Sequence, residues 1–449
     1  KIKVIDSQIE ATNDSVALVA TANGWKSDAE ISVMTTEAAE TPTTITAGTD
    51  IELIAESDDD ARITIATLLP ADAEDPALTT FTAGNDVNVT INAKDDAKLW
   101  VQSSEFVAGN AGLNAMLWSK RGDVKVTVVD SEITGGSKGL NVDADVKKDG
   151  DVKMYIAGNT ISALDNRGVA LKLDAAVGDD GDIKVNVRGN TVSADAQDGD
   201  AVDIAATVGD DGNVKINVDD NTVTGFRRGV VVDADVNGAG NILVGVKGNT
   251  VTAQASPVDV DAKGAGKDGW GTGNIAVFLI GNTIEGNTAR NNDGRDAVNV
   301  DIEALHNGKV LASGNTVNMH GGTGFDVNVD TEKRSRITFL GNTVNEYAYG
   351  QTVGVEISVN SHKSRINFGR EGDPGSGNSI WSSNNAGLEI ITRDTTEAWV
   401  SIFHNQFTES EPAIRLEAKE SSEIVYELGG NEFDNVDDEL VEIGSVSML

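Results

Sequence analysis

Several kinds of residue are missing or rare in this chain of 449 residues, and each shortage excludes something. Cysteine is absent, which rules out a disulfide framework and a thiolate metal site. Aromatic residues make up 4% of the chain, so large rings cannot dominate its core. No apolar run approaches the roughly 20 residues of a membrane-spanning helix, and no charged and then apolar leader opens the sequence. We therefore expect no membrane span, and either a cytosolic protein or the mature form of an exported one.

Basic residues are also scarce. The chain has 35 Lys and Arg against 72 Asp and Glu, which gives a formal net charge of −37 at pH 7. A surface this acidic repels the phosphates of nucleic acids and anionic lipids, and it attracts cations and basic partners. We therefore expect no nucleic-acid partner.

A short phrase, Asn-Thr followed by Ile or Val, recurs with a period of roughly 30 residues, the range of solenoid repeats. Apolar residues lie three, five and seven places before each Asn, as Ile183, Val185 and Val187 do before Asn190, and a period of two indicates a strand. A second alternating run follows each phrase, so every repeat predicts three short strands. The repeated asparagines are Asn159, Asn190, Asn221, Asn249, Asn282, Asn315 and Asn342, with weaker copies at Asn378, Asn405 and Asn431.

Three short strands cannot bury their apolar faces alone, so the repeats must stack, each strand pairing in parallel with its copy one turn away. This predicts an all-β protein, a single parallel β-helix of roughly 15 coils that forms one elongated domain. We expect irregular coils over residues 1–103, regular coils over 104–431, and a C-terminal strand over 432–449. Each repeated Asn is expected to adopt the left-handed backbone of a bend and to hydrogen-bond the next Asn in a ladder.

From Ser104 to Asn431 the chain resembles the right-handed parallel β-helix superfamily, which includes pectate lyase-like enzymes, phage tailspikes and many bacterial surface proteins. The resemblance implies a right-handed solenoid. It also implies that, if the chain is an enzyme, acids and a base cluster on one outer face.

Acidic residues recur at one place after the second apolar pair of the repeat, and they predict an outward acidic column. Stacked carboxylates about 5 Å apart repel each other unless a cation bridges them, an acid is protonated or water screens them. The column is either a Ca²⁺-binding face or a solvated acidic face. Its predicted metal-binding members are Asp143, Asp174, Asp233, Asp235, Asp261 and Asp301, and Asp203, Asp259 and Asp326 are expected beside it. The turns Gly178–Gly181 and Gly209–Gly212 are weaker Ca²⁺ candidates, because Gly and Asp dominate turns for conformational reasons.

No catalytic residue can be assigned. Acidic pairs of the kind a glycosidase needs are abundant and therefore do not discriminate, and no catalytic signature of pectin hydrolases or Ca²⁺-dependent lyases is present. The sequence leaves an enzyme open but does not favour one. Arg334 and Arg336 could bind an anionic sugar, although the net charge argues against an acidic polysaccharide.

Both ends of the sequence are typical of strands, and neither shows the amphipathic helix that often caps a solenoid. We expect Ile2 and Val4 at one end, and Val441, Ile443, Val446 and Leu449 at the other, to mediate head-to-tail contact between copies, which generates a filament. The alternative is that the chain is a segment of a longer surface protein whose caps lie outside this sequence. The favoured function is a secreted extracellular or cell-surface structural protein that polymerises with itself, with cations bridging its acidic face. One alternative is a lyase, hydrolase or binding module for an extracellular polysaccharide, acting through the acidic face and the insertions Gly264–Gly273 and Gly286–Asp296. The other is an adhesin or tailspike that presents its loops.

Overall fold

The computed structural model describes residues 1–24, 26–36, 41–68, 78–194, 198–264, 273–286, 296–346, 353–382 and 385–449. The protein is an all-β, right-handed parallel β-solenoid of about 13 turns, which confirms the predicted fold class and is close to the expected 15 coils. Among the described residues the one helical element is a 3-10 turn, Pro374–Ser376. The chain divides into two compact units of similar size. Unit 1 comprises Lys1–Asn217 and Asn221–Phe226, and unit 2 comprises Val218–Asp220 and Arg227–Leu449.

Each coil contributes a first strand, a short strand and a long strand, in that order along the chain. In unit 1 the first strands are Ile2–Ile5, Ala29–Thr35, Ala61–Thr67, Ala97–Gln102, Val124–Val129, Val152–Ala157, Ile183–Arg188 and Val214–Asp219, whose last two residues are grouped with unit 2. The short strands are Gln8–Ala11, Thr44–Ala47, Thr79–Ala83, Ser104–Ala108, Glu132–Gly135, Thr160–Ala163, Thr191–Ala194 and Thr222–Gly225. The long strands are Val16–Ala22, Ile51–Ser57, Asp86–Ala93, Ala111–Ser119, Lys138–Val146, Val169–Val177 and Asp200–Val208.

Unit 2 repeats the pattern, except that two of its long strands continue directly into the next first strand. These continuous strands are Phe325–Leu340 and Val355–Phe368. The other long strands are Arg228–Val236, Ser256–Gly264, Val298–Ala304, Leu388–Thr392, Ile414–Ala418 and Leu440–Ile443. The separate first strands are Ile242–Lys247, Asn274–Ile280, Asn307–Ser313, Glu397–Phe403, Glu423–Gly429 and Val446–Met448. The short strands are Thr250–Ala253, Thr283–Gly286, Thr316–Met319, Thr343–Glu346, Ser379–Trp381, Gln406–Thr408 and Glu432–Asp434.

Stacked columns of small apolar side chains form the core. Ile183, Val185 and Val187 point inward directly opposite Val152, Met154 and Ile156 of the preceding coil, and all six are almost completely buried. Burying one such side chain contributes about 1.5–3 kcal/mol. The few phenylalanines stack on one another inside, as Phe81 and Phe106 do with ring centroids 5.0 Å apart. The alternation of apolar and polar residues therefore places one row of each strand in the core and the other row outside.

The bend before each short strand corrects one expectation. In most coils the residue with positive φ is the one that precedes the repeated Asn, with values of 68° at Gly158, 62° at Gly189 and 56° at Asp220; Gly377, before Asn378, is an exception with φ −66°. The repeated asparagines themselves are not in this conformation. Glycine has no Cβ to clash in the left-handed region, and Asp tolerates it, so the preceding residue makes the bend. The Asn side chain is left to point into the solenoid.

Candidate functional site

The structure brings the repeated asparagines together in buried ladders. In unit 1, Oδ1 of Asn190 accepts hydrogen bonds from both the backbone N and Nδ2 of Asn159, each at 2.9 Å. Asn221 accepts the same pair from Asn190. In unit 2 the chain of bonds links Asn249, Asn282, Asn315 and Asn342, and it continues through Asn378 and Asn405 to Asn431. Each Nδ2 also donates to a backbone carbonyl, as Asn282 does to Val246 at 2.8 Å.

A second ladder was missed in the sequence. In unit 1 an acidic side chain directly before a first strand accepts the backbone N–H of the equivalent residue one coil later. Oδ1 of Asp123 accepts from Asp151 at 3.0 Å, and Oδ1 of Asp151 accepts from Asp182 at 3.1 Å. The full series is Asp60, Asp96, Asp123, Asp151, Asp182 and Asn213. Its signal was visible, because Asp or Asn immediately precedes the first apolar residue of each of these strands.

The Gly-Asp-Asp-Gly turns use their carboxylates in a similar way. Oδ1 of Asp180 accepts the backbone N–H of Asp211, at the matching place in the next turn, at 3.1 Å. This contact between turns gives the repeated acid a structural role that needs no ion.

The predicted acidic column is interrupted in unit 1. Asp143 lies directly opposite Asp174, but the next position in line is Ala205. Burial raises the pKa of Asp143, and the charges of Asp174 and Asp145 raise it further. Neighbouring lysines offset part of this charge, since Lys172 contacts Asp174 at 2.8 Å. In unit 1 the column is therefore a carboxylate pair flanked by lysines.

The column is longer in unit 2. Asp233 lies opposite Asp261, and Asp261 lies opposite Asp301, after which Asn328 follows. Asp235 is placed differently, because its neighbour in the next coil is Lys263. In the part of the chain that the structure describes, no three acidic or histidine side chains converge as a ready metal site. Bridging by a cation would therefore use pairs of carboxylates in adjacent coils.

A parallel row of acids, two residues earlier on the same strands, widens this surface. The sequence reasoning placed Asp259 and Asp326 beside the column, but it missed Asp296, Glu356 and Glu389. We call the outward carboxylates of the long strands between Ser256 and Thr392 the acidic face of unit 2. Its members are Asp259, Asp261, Asp301, Glu303, Asp326, Asp330, Glu356 and Glu389, with Asp296 at its border.

Crowding and burial perturb the carboxylates of the acidic face. Burial raises the pKa of Asp326 to about 7, and the charges of Asp296, Glu356 and Asp301 add to the effect. Burial is also the main cause of the raised pKa of Asp296 and of Glu356. Amides partly compensate, since Nδ2 of Asn328 donates to Asp326 at 3.1 Å. Near neutral pH, then, Asp326 exchanges between a neutral acid and a carboxylate.

A hollow of about 380 Å³ lies on this face. Its lining is polar and includes both signs of charge, and it draws on five successive coils of unit 2. The charged and amide side chains around it are Asp261, Lys263, Asp301, Glu303, Asn328, Asp330, Asn360 and Arg393. This arrangement can bind hydroxyl groups and cations along the stacking direction.

The terminal residues are placed in two ways. Ile2 and Val4 point inward, in line with Ile31 and Val33. Val441 and Ile443 align with the outward residues Arg415 and Glu417, so the inward position between them is occupied by Glu442, in line with Leu416. The carboxylate of Glu442 accepts a hydrogen bond from the hydroxyl of Tyr426. Val446 aligns with the buried Ile424, and Leu449 is exposed.

Comparison of the chain with protein-family models, curated proteins and solved structures finds no match. Across the described ranges, no helix is long and apolar enough to span a membrane. The interiors of the two insertions, residues 265–272 and 287–295, lie outside the described residues.

Proposed function

We propose that this chain is a structural β-solenoid of the extracellular or cell surface, akin to the right-handed β-helix superfamily, that associates with copies of itself end to end. The observation that carries the proposal is the edge of the first coil. Its strands Ile2–Ile5, Gln8–Ala11 and Val16–Ala22 pair on one side only among the described residues. Their inward side chains Ile2, Ile9 and Leu18 are half-buried, whereas the equivalent residues of inner coils are fully buried. A strand edge of this kind accepts a further strand in register, whether a second copy or a preceding stretch of a longer chain supplies it.

The last coil of unit 2 presents a partly polar surface to such a contact. Glu442 stands where the preceding coils carry Leu416 and Ile390, so a stacked coil would bury its carboxylate. An inward-pointing charge is one of the ways in which proteins limit edge association. We therefore expect Glu442→Leu to strengthen end-to-end assembly.

Electron microscopy and analytical ultracentrifugation of the chain at rising concentration test this proposal. Ile2→Lys with Leu18→Lys should abolish filaments, because a cation would be buried at the contact. Ala17→Lys is the matched control, since Ala17 points outward on the same strand and is exposed. Particles that stay single at every concentration, or filaments that survive the inward lysines, would overturn the proposal. Labelling of intact cells with an antibody tests the surface location.

Calcium bridging of the acidic column is also part of this proposal. It is motivated by the carboxylates Asp233, Asp261 and Asp301, which lie opposite one another in adjacent coils of unit 2. Ca²⁺ should raise the melting temperature and a chelator should lower it, because an ion that binds only the folded state stabilises it by mass action. Asp261→Asn with Asp301→Asn should remove the response. A melting temperature that ignores both additions would leave the acidic face as a solvated surface.

A second candidate function is favoured by the hollow and by the pKa of Asp326. Asp326 does not line the hollow but is hydrogen-bonded to Asn328, which does. An acid of raised pKa beside a polar groove is suited to protonating a glycosidic oxygen of a polysaccharide bound there. Binding and product release from a panel of neutral and amino-sugar polysaccharides would test it. Asp326→Asn should abolish turnover but leave binding measurable if Asp326 is the acid, and a panel with neither binding nor products would exclude this candidate.

A further inference from the structure

The first strands of unit 2 carry a concentrated basic surface on a chain that has twice as many acids as bases. Arg334 lies directly opposite Lys363 in the next coil, and Lys309, Arg336 and Arg365 follow one another in three successive coils. We call these five exposed residues the basic face of unit 2.

The basic face has few partners within the chain. Arg334, Arg336 and Arg365 make no side-chain hydrogen bond or ion pair with any residue that the structure describes. Lys363 is 3.9 Å from Glu397, and both side chains are about half exposed, so this contact is weak. Like charges directly opposite each other on neighbouring strands destabilise a sheet. The basic face is therefore left with uncompensated positive charge.

Lysines in the equivalent place of unit 1 differ in this respect. Lys98 contacts Asp96 at 2.7 Å, and Lys153 contacts Asp151 at 2.8 Å. Lys125 and Lys184 of the same row form no ion pair among the described residues, but each follows an acid, Asp123 or Asp182, by two residues. In unit 2 the residues at this place are Asn274 and Asn307, which form an amide ladder, and then Arg334 and Lys363 of the basic face itself, after which Glu397 follows. Arg336 and Arg365 therefore follow a base by two residues, where the lysines of unit 1 follow an acid.

The acidic face of unit 2 has the complementary property. Its carboxylates Asp301, Asp326 and Glu356 lie in successive coils, and the charges of Glu356 and Asp301 add to the burial that raises the pKa of Asp326. Both faces advance one coil at a time, with a spacing of about 4.8 Å between neighbouring strands. Two such faces laid side by side therefore match in spacing, and several opposite charges pair at once.

We propose that the basic face of one copy docks on the acidic face of a second copy, which gives a lateral contact between solenoids. This inference rests on the self-association in the proposed function and names a second surface for it. The two faces are different surfaces, so the contact is heterologous and repeats from copy to copy. Repulsion between chains of charge −37 is screened beyond about 8 Å at physiological ionic strength, whereas the apposed faces lie within that distance.

Charge reversal provides the test, with association measured by sedimentation at moderate salt. Arg334→Glu, Arg336→Glu and Arg365→Glu together should weaken lateral association at least about tenfold. Asp301→Lys, Asp330→Lys and Glu356→Lys together should do the same. Both sets combined in one chain restore complementarity, so association should return. If the lysine variants do not fold, by circular dichroism, the neutral set Asp301→Asn, Asp330→Asn and Glu356→Gln serves instead and should also weaken it.

The control reverses three exposed lysines of unit 1, with Lys98→Glu, Lys125→Glu and Lys184→Glu, and changes the net charge equally. Unchanged association in this control supports the proposal. Equal weakening, or a combined variant that stays dissociated, would overturn it, as would association that ignores salt. Binding of an added acidic polysaccharide that is lost with the arginines, without any salt-sensitive self-association, would assign the basic face to that polymer instead.

The end-to-end and lateral contacts fail separately in these experiments. The inward lysines at Ile2 and Leu18 should remove filaments and leave lateral pairs, whereas the arginine reversals should remove lateral pairs and leave single filaments. Filaments that persist after arginine reversal with no loss of lateral pairing would contradict the lateral contact alone.

Discussion

Replacing Asn282 by Ala should destabilise unit 2 strongly, because this side chain makes four buried hydrogen bonds. Its Nδ2 donates to the carbonyl of Val246 at 2.8 Å and to Oδ1 of Asn315 at 2.9 Å. Its Oδ1 accepts from the backbone N of Asn249 at 3.0 Å and from Nδ2 of the same residue at 3.1 Å.

The loss can be estimated bond by bond. Asn315 keeps a donor in the backbone N of Asn282, and Nδ2 of Asn249 keeps the carbonyl of Val218. The backbone N–H of Asn249 loses its acceptor Oδ1 of Asn282, a loss at a buried group that costs about 1–3 kcal/mol, while each of the other bonds contributes about 0.5–1.5 kcal/mol. We expect a loss of about 3–5 kcal/mol in the free energy of unfolding. Asn282→Asp should lower the free energy of unfolding by a similar amount, because a carboxylate accepts both hydrogen bonds from Asn249 but donates none to Val246 or Asn315.

Asn318→Ala is the matched control, since Asn318 lies on a half-buried outer row and accepts a single amide bond from Asn345 at 2.9 Å. It should cost about 1 kcal/mol or less. Stacked repeats can unfold in parts, so urea denaturation should be joined by hydrogen exchange of the N–H groups in the strands Thr250–Ala253 and Thr283–Gly286. If Asn282→Ala costs no more than the control and leaves exchange unchanged, the buried ladder is not what stabilises the stack.

Three further outcomes are expected. Because the pKa of Asp326 is raised in the folded state, the folded state holds this proton to higher pH than the unfolded chain does, so stability falls as the pH rises toward and through 7. Asp326→Asn should flatten this decline when the melting temperature is measured against pH. An unchanged dependence of the melting temperature on pH would contradict the raised pKa of Asp326. Asp151→Ala should lower the free energy of unfolding by about 0.5–1.5 kcal/mol, and Asp151→Asn should lower it much less, because an amide oxygen still accepts the N–H of Asp182. Equal losses of stability for the two variants in denaturant titrations would exclude Asp151 as a stabilising hydrogen-bond acceptor. A Cβ at Gly84 would lie 2.0 Å from the carbonyl oxygen of Gly48, so Gly84→Ala should lower the melting temperature of unit 1 by several degrees, and an unaltered melting temperature would mean that the turn can shift.

Much of the fold could be predicted because its signals are local and repeated. Apolar residues at a period of two fixed which side chains of each strand point inward, and the recurrent Asn marked the bend in every regular coil. The second ladder, which the sequence analysis missed, also has a local signal, because an acid precedes each of Ala97, Val124 and Val152. The residue that bends the backbone was assigned one position too late, because Asn and Gly both tolerate positive φ and the sequence does not say which of them adopts it.

The candidate site depended on information that the sequence holds less clearly. Neighbours in the stacking direction are about one repeat apart, and insertions of unequal length obscure their alignment, so the meeting of Asp174 with Ala205 was not foreseen. The same difficulty hid the approach of Glu356 to Asp326 and the inward place of Glu442 between Val441 and Ile443.

The sequence by itself determined that this chain forms a parallel β-solenoid with an asparagine ladder, because both follow from patterns within single repeats. Only the tertiary structure decided which charges face each other across coils, which carboxylates are buried enough to hold a proton near neutral pH, and that the unpaired arginines of unit 2 form one basic surface. These properties depend on distance and burial between residues that lie far apart in the chain, and Coulomb interactions and desolvation act on that distance rather than on sequence separation.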